Sequence, residues 1–324
     1  VTTFPRSTAV TPCGRYAPSP SGDLHLGNLR TALLAWLMAR HAGGRFVLRV
    51  EDLDRVKRGA AERQLTDLAA LGIDWDGEVL YQSTRLTAYQ DAVSQLTQAG
   101  LVYECFCTRR EIQEASSAPH GAPGAYPGTC RNLTEAERAE RRRVRPASLR
   151  LKAQVDSWSV TDRFAGTYTD AVDDLVLVRG DGVYAYNLTC VVDDDFQGVT
   201  EVVRGDDLLP SAPRQAYLAH LLGLAVPVYA HVPLALGAGG KRLAKRDGAV
   251  TYSELTAAGV STGQLMRMIA ASIPLPPLTG AFAGDSGPHL PETATEMLAV
   301  FAPERIGRAP WIVLDPLMES TCCL

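Results

Sequence analysis

A chain of 324 residues, 46 % hydrophobic and 21 % charged, can bury a substantial core and folds as one large or two ordinary domains. Its formal net charge of −4 excludes a protein that coats nucleic acid by bulk charge, because phosphate neutralisation needs an excess of Lys and Arg. No apolar run approaches the roughly 20 residues that span a bilayer, and residues 1–11 lack the apolar middle of a secretory leader, so a cytoplasmic protein with no membrane partner is expected.

After a tail over 1–12, Gly14 to Ala17 predicts a strand that runs into the Pro/Ser/Gly loop Pro18 to Asp23. A helix is predicted from Gly27 to His41, because Leu29, Leu33, Leu34, Leu37 and Met38 recur at helical spacing and Gly43 and Gly44 then stop it. Arg45 to Val50 alternates and predicts a strand, followed by helices near Ala61 to Leu71 and Leu86 to Ala99. Strands alternating with helices imply an α/β fold with a parallel sheet covered on its faces. Ligands of such sheets sit beyond the carboxyl ends of the strands, which places one at the loop Pro18 to Leu24.

From Cys105 to about Arg145 the composition changes, and the Ser, Ala, Gly and Pro around Ser116 to Gly128 predict an irregular insertion. Ser148 to Val178 reads as strand-rich. Asp181-Gly182 turns into a further strand, Val183 to Tyr186, after which Asn187 caps a short helix. Thr200 to Arg204 predicts a strand and Pro213 to Leu222 a helix. The Gly-rich loop Gly237 to Gly240 precedes a basic run, Lys241 to Arg246, and a mixed, Pro-punctuated remainder. The resulting division is a tail (1–12), the first half of an α/β domain (13–104), an inserted subdomain (105–180), the second half (181–236), and a late basic loop with a short helical C-terminal region (237–324).

The seven cysteines are Cys13, Cys105, Cys107, Cys130, Cys190, Cys322 and Cys323, a poor disulfide framework and a fair metal-site pattern. Thiolates at Cys105 and Cys107, closed later by Cys130, suit tetrahedral Zn2+. The loop between them is too polar to hold itself by burial, so a metal would order it. On general chemistry His120 is the better fourth ligand and Tyr126 the alternative; Cys322 and Cys323 read as free thiols.

The stretch Arg15 to Asn28 is the most informative. It sets His25 at the mouth of a helix, where free N–H groups and the dipole attract anions. Gly27 removes a side chain where a nucleotide could approach the backbone. The run Arg15-Tyr16-Ala17-Pro18-Ser19-Pro20-Ser21-Gly22, followed by His25-Leu26-Gly27-Asn28, resembles the first signature, the "HIGH" motif, of the glutamyl-type class I aminoacyl-tRNA synthetases.

That resemblance implies a Rossmann-like catalytic domain that binds ATP with Mg2+ and L-glutamate. His25, Gly27 and Asn28 would meet ATP. Asn28 stands where the generic motif has a second histidine and can donate but not carry charge, leaving His25 to stabilise charge at phosphorus. The second signature, the mobile KMSKS-like loop, falls in register on Arg242-Leu243-Ala244-Lys245-Arg246. It keeps the central Lys245 and departs from the consensus at Arg242, Ala244 and Arg246; Arg242 and Lys245 would grip the phosphates. Glutamate needs cations or donors for two carboxylates and an acid for its ammonium. By position the family's pocket maps to Arg15, Tyr16, Ala17, Pro18, Ser19, Glu51, Tyr186 and Arg204. Tyr184 is the alternative to Tyr186. Glu51 and Asp54 could instead cap a helix, and Arg204 could pair with Asp206 or Asp207.

The pattern Cys-x-Cys with a later Tyr-x-x-x-Cys is similar to that of the glutamyl-queuosine tRNA(Asp) synthetases, and this resemblance implies Tyr126 as the fourth zinc ligand. With a chain too short for a helical anticodon-reading domain, it implies transfer of glutamate to the queuosine base of tRNA(Asp). The alternatives are charging the 3′ end of tRNA(Glu), or a non-catalytic paralogue that binds RNA or glutamate. Arg138, Arg141, Arg142, Arg143 and Arg145 either touch phosphates or form a solvated helix face with Glu135, Glu137 and Glu140. A monomer is expected.

Overall fold

The computed structural model describes residues 11–108, 110–112, 126–237, 239–240, 243, 250–279 and 288–313. Its strands are β1 (Cys13–Tyr16), β2 (Arg45–Val50), β3 (Leu80–Tyr81), β4 (Val102–Cys105), β5 (Ser148–Leu151), β6 (Ser157–Asp162), β7 (Gly166–Ala171), β8 (Val176–Val178), β9 (Glu201–Gly205), β10 (Val228–Val232), β11 (Ala235–Gly237) and β12 (Trp311–Val313). The helices are α1 (Leu26–His41), α2 (Ala60–Ala70), α3 (Leu86–Gln98), α4 (Glu135–Val144), α5 (Tyr186–Phe196), α6 (Ala212–Leu222), α7 (Tyr252–Ala257), α8 (Thr262–Ser272) and α9 (Ala294–Val300).

Seven strands form the main sheet in the order β3-β2-β1-β9-β10-β6-β7. It is parallel from β3 to β6, and only the β6–β7 hairpin pairs antiparallel. Five of the six residues of β2 are buried, as expected of a strand covered on both faces. The predicted α/β class and parallel sheet are present. β4, β5 and β8 form a separate antiparallel sheet, and the described C-terminal residues carry α7, α8 and α9 beside the β11–β12 pair.

α1 is buried almost all round, the signature of a helix enclosed between layers rather than one lying on a surface. It packs against β1 and β9 on one side and α9 on the other. The approach to β1 is close: a Cβ on Gly14 would stand 2.9 Å from that of Ala39. Arg30 ties α1 to its neighbours, donating to Pro233 O at 2.7 Å and to Ser272 Oγ at 2.9 Å, at the C-terminus of α8. Burial pushes its pKa down to about 10, so it remains charged at neutral pH. Capping boxes start α4, α7, α8 and α9, each a Ser or Thr answered three residues on by Glu or Gln.

Three expectations need correction. Val183 to Tyr186 is not a strand: one isolated bridge joins Val178 to Tyr184, and Tyr186 is the first residue of α5. Asn187 is therefore inside that helix and Ala185 is its N-cap. Burial of Leu188, Cys190 and Val191 winds the segment from Tyr186 onward into a helix. The tract to Arg145 is not irregular throughout, since Glu135–Val144 is helical.

Candidate active site

β1 and β9 are neighbours in the sheet, and the chain order runs away from them in opposite directions. This is a switch point, where open α/β sheets form a ligand crevice at the strands' carboxyl ends. A cavity of about 520 Å3 lies there. It is lined by Arg15, Tyr16, Ala17, Pro18 and Ser19 from β1 and its loop, by His25, Gly27 and Asn28 from the mouth of α1, and by Glu51, Tyr186 and Arg204. These predicted residues therefore meet at one place. Arg242, Lys245 and His120 lie outside the described residues. Leu243, between the first two, is buried and lines the same cavity.

His25 is the N-cap of α1. Its Nδ1 accepts the Asn28 backbone N–H at 3.3 Å, and Asn28 Oδ1 accepts the His25 N–H at 3.2 Å. Histidine is not among the preferred N-caps, so its place here asks for a second reason. With Nδ1 accepting, the proton of the neutral ring resides on Nε2, a donor at a helix end that already favours anions. The short amide of Asn28 closes the capping box, a role for the motif's departure from a second histidine. On the other side, Leu26 N–H donates to Val250 O at 3.2 Å and His25 bridges Thr251. The chain just after the basic run is thus fastened to the first signature.

Beneath the cavity lies a buried charge network. Asp194 Oδ1 accepts from Arg49 at 2.8 Å and from Arg15 Nε at 3.4 Å; Arg49 also stands 3.6 Å from Glu51. Burial raises the Asp194 pKa, but Arg49 and Arg15 outweigh it and hold the carboxyl below its usual range. For Glu51 burial wins, and its pKa is raised despite the same two guanidinia. The adjacent Asp193 accepts from Tyr89 Oη at 2.6 Å and Gln82 at 3.0 Å, and pairs with Arg85 at 3.2 Å.

Arg204 is different. Its Nε donates to His231 Nε2 at 3.0 Å, and its Nη1 to Gln215 Oε1 at 2.7 Å and Tyr186 Oη at 3.4 Å. Its Nη2 donates to Leu208 O at 3.3 Å. Among the described residues no carboxylate is within ion-pair distance of it, so the pairing with Asp206 or Asp207 does not occur. Glu51 and Asp54 do not cap the next helix either, since the N-cap of α2 is Gly59 with no side-chain bond. Sequence reasoning missed Arg49, Asp193, Asp194, His231, Asp162 and Gln215. The acidic run Asp193-Asp194-Asp195 was the one available signal.

A second cavity of about 600 Å3 shares Ser19, Glu51 and Tyr186 with the first and extends past Arg150 and Arg179 to Cys107. It leads to the cysteine cluster, in which the Sγ atoms of Cys105, Cys107 and Cys130 all lie within 4.8 Å of one another. Tyr126 Oη is 3.3 Å from Cys105 Sγ and 3.7 Å from Cys107 Sγ, and Cys107 Sγ is 3.6 Å from Cys130 Sγ. A tetrahedral zinc with Zn–S near 2.3 Å needs edges of about 3.8 Å, so the donor set fits a metal ion. Without one, burial pushes the Cys107 thiol up to about 11.

The basic helix α4 has no buried residue. Arg142 pairs with Glu104 at 2.5 Å and Glu135 at 2.6 Å, and Arg145 with Glu111 at 3.5 Å, which is the arrangement of a solvated, ion-paired face. No helix among the described residues is long and apolar enough to cross a membrane.

Residues 13–272 match the family described as tRNA synthetases class I (E and Q), catalytic domain. The chain is 60 % identical to the glutamyl-Q tRNA(Asp) synthetase of Nocardia farcinica, over 95 % of this chain and 96 % of the relative. It is 45 % identical to the protein of that name from Symbiobacterium thermophilum, over 92 % and 94 % of the two chains. Among solved structures it resembles a glutamate tRNA ligase from Elizabethkingia meningosepticum in complex with its amino acid. The TM-score is 0.73 at 27 % identity, over 96 % of this chain and 69 % of that one.

Proposed function

From the premise that the chain belongs to the class I tRNA synthetase family for glutamate and glutamine, we propose that it activates L-glutamate with ATP and transfers the glutamyl group to the queuosine base of tRNA(Asp). The transfer target follows the relatives' names. The observation that carries the glutamate reading is Arg204, a guanidinium 5 % exposed, lining the cavity and bonded, among the described residues, only to neutral acceptors. A buried cation without a counter-ion is costly, and a substrate carboxylate supplies one. Arg15 and Ser19 extend the same anionic subsite, and Glu51 faces the ammonium.

In the first step a glutamate carboxylate oxygen attacks the α-phosphorus of Mg-ATP, and pyrophosphate leaves. His25, with Nε2–H as donor, stabilises the charge that builds at phosphorus. Gly27 and Asn28 receive the nucleotide, and by sequence register Arg242 and Lys245 grip the departing phosphates. In the second step an acceptor hydroxyl attacks the glutamyl carbonyl and AMP leaves. The second cavity, opening at Ser19, Glu51 and Tyr186, is the route we assign to the RNA. Zn2+ held by Cys105, Cys107, Cys130 and Tyr126 would fix the segments flanking that route. We retain the division into a catalytic domain in two halves (13–104 and 181–236), an insertion (105–180) whose β6–β7 hairpin extends the main sheet, and a C-terminal region (237–324).

The test is glutamate transfer to tRNA(Asp) with and without queuosine. Transfer that requires queuosine is expected. Transfer to a 3′ end regardless of queuosine overturns the acceptor, and the absence of glutamate-dependent ATP–pyrophosphate exchange overturns the activation step.

A further inference from the structure

Arg204 is anchored from behind by two residues that do not line the cavity. Its Nε donates to His231 Nε2 at 3.0 Å, and His231 Nδ1 contacts Asp162 Oδ2 at 2.7 Å. All three are buried, with His231 5 %, Asp162 2 % and Arg204 5 % exposed. Arginine can only donate, so Nε2 must be the acceptor, and the one ring proton sits on Nδ1 and is given to Asp162. Asp162 is itself fixed, taking the N–H groups of Phe164 at 2.9 Å, Ala165 at 2.8 Å and His231 at 3.1 Å. Each of the three side chains comes from a different strand of the main sheet, β9, β10 and β6.

We propose that His231, oriented by Asp162, is a positioning residue for Arg204: it holds the guanidinium toward the cavity through a neutral acceptor and so leaves its charge for a substrate carboxylate. This rests on the reading of Arg204 as the carboxylate clamp. The contrast with Arg15 and Arg49 makes the point. Those two share Asp194 directly, so part of their charge is answered within the protein. At Arg204 an imidazole stands between guanidinium and carboxylate. The charged groups facing the ring are Asp162 from β6, Arg204 from β9 and Arg15 from β1, with Tyr229 of its own strand stacked at 5.8 Å. Burial and the two guanidinia hold the ring neutral below its ordinary pKa, against the pull of Asp162. A proton on Nε2 would set two donors against each other and release Arg204.

The experiment compares His231→Ala and His231→Gln with wild type in ATP–pyrophosphate exchange. His231→Ala removes the acceptor and is expected to raise the KM for glutamate about tenfold or more, with the KM for ATP within about twofold. His231→Gln keeps an uncharged acceptor and is expected to restore the glutamate KM to within about threefold of wild type. An equal rise in both KM values, an unchanged glutamate KM in His231→Ala, or no rescue by His231→Gln overturns the positioning role. Should His231→Ala not fold, the ring tautomer of wild-type His231, read from its 15N shifts, decides: Nδ1–H is expected, and Nε2–H overturns the proposal. Absence of glutamate-dependent exchange in the wild type is a different result, and it removes the substrate assignment instead.

Discussion

Arg49 and Asp194, 145 positions apart in sequence, meet at 2.8 Å in the floor of the candidate active site. Arg49 is fully buried and Asp194 nearly so, and Arg15 leans on the same carboxylate oxygen at 3.4 Å. The pair sits beneath the residues proposed to take glutamate, so site geometry and stability are linked through one side chain.

Asp194→Asn leaves two buried guanidinia facing a neutral amide. Breaking a buried pair by removing one partner costs about 3–5 kcal/mol, which would appear as a lower urea midpoint at unchanged slope. The effect should depend on pH. Because the folded carboxyl is held below its unfolded value of about 3.9, its stabilisation is complete above that pH and is lost as pH falls through the folded value. The gap between wild type and variant should therefore be widest near neutrality and close below pH of about 4. A gap that persists undiminished into acid would show that Asp194 acts by packing, not by charge.

How much of this was legible beforehand depends on distance along the chain. Arg15 to Asn28 is one contiguous stretch, and its residues meet the cavity because a strand, a loop and a helix start must follow one another there. The cysteine cluster was legible for a related reason: Cys105 and Cys107 are local, and only one later return, at Tyr126 and Cys130, is needed. The charge network was not. Asp193 and Asp194 sit in a run that reads as a solvated face, and what buries them are arginines from three other segments, Arg15, Arg49 and Arg85. Tyr186 lines the cavity, but from the first turn of α5 and not from the expected strand. Aromatic and β-branched residues from Val183 to Thr189 favour a strand locally, and burial of Leu188 and Val191 in one apolar cluster with Tyr89, Leu177 and Leu218 overrides that preference.

Metal content should separate the two candidate fourth ligands. Cys130→Ser removes one of three thiolates, and purified protein should lose most of its zinc by elemental analysis. Tyr126→Phe keeps the three thiolates but removes the oxygen that lies 3.3 Å from Cys105 Sγ. Its zinc should be bound but released to a chelator at least tenfold faster, roughly the loss seen when a supporting group of a metal site is deleted. If His120→Ala shows that behaviour and Tyr126→Phe does not, the histidine is the ligand. Wild-type protein purified without chelator and free of zinc would remove the site altogether.

His25 holds a helix and, in the proposed mechanism, a transition state, and one substitution should split the roles. Asparagine is among the best N-caps, so His25→Asn should keep the melting temperature of wild type. It lacks the ring that carries Nε2 toward the cavity. Loss of one preorganised donor to developing charge lowers turnover by about 10²–10³-fold, and pyrophosphate exchange should fall by that factor. His25→Ala should lose the same activity and in addition about 1 kcal/mol of stability from the missing cap. Retention of more than a tenth of wild-type turnover in His25→Asn would return the histidine to a purely structural role.

Gly27 tests the cavity from the other direction, because there stability and activity should move apart. It lies in the first turn of α1, where alanine is favoured over glycine by about 1 kcal/mol. The backbone is not left-handed at this position, so nothing in its conformation demands glycine. What a methyl meets is the site: the added Cβ would stand 3.1 Å from His25 Cε1 and 3.2 Å from the Ala235 Cβ. Both contacts are tighter than ordinary packing, and the softer of the two is the imidazole ring, which must turn. Gly27→Ala should therefore fold with a melting temperature near that of wild type, the gain in helix propensity offsetting the displaced His25 cap, while the KM for ATP in pyrophosphate exchange rises about tenfold and the KM for glutamate stays near its original value. If the variant binds ATP as wild type does, the nucleotide does not approach the backbone at the mouth of α1. The glycine would then be explained by its clearance from Ala235 alone.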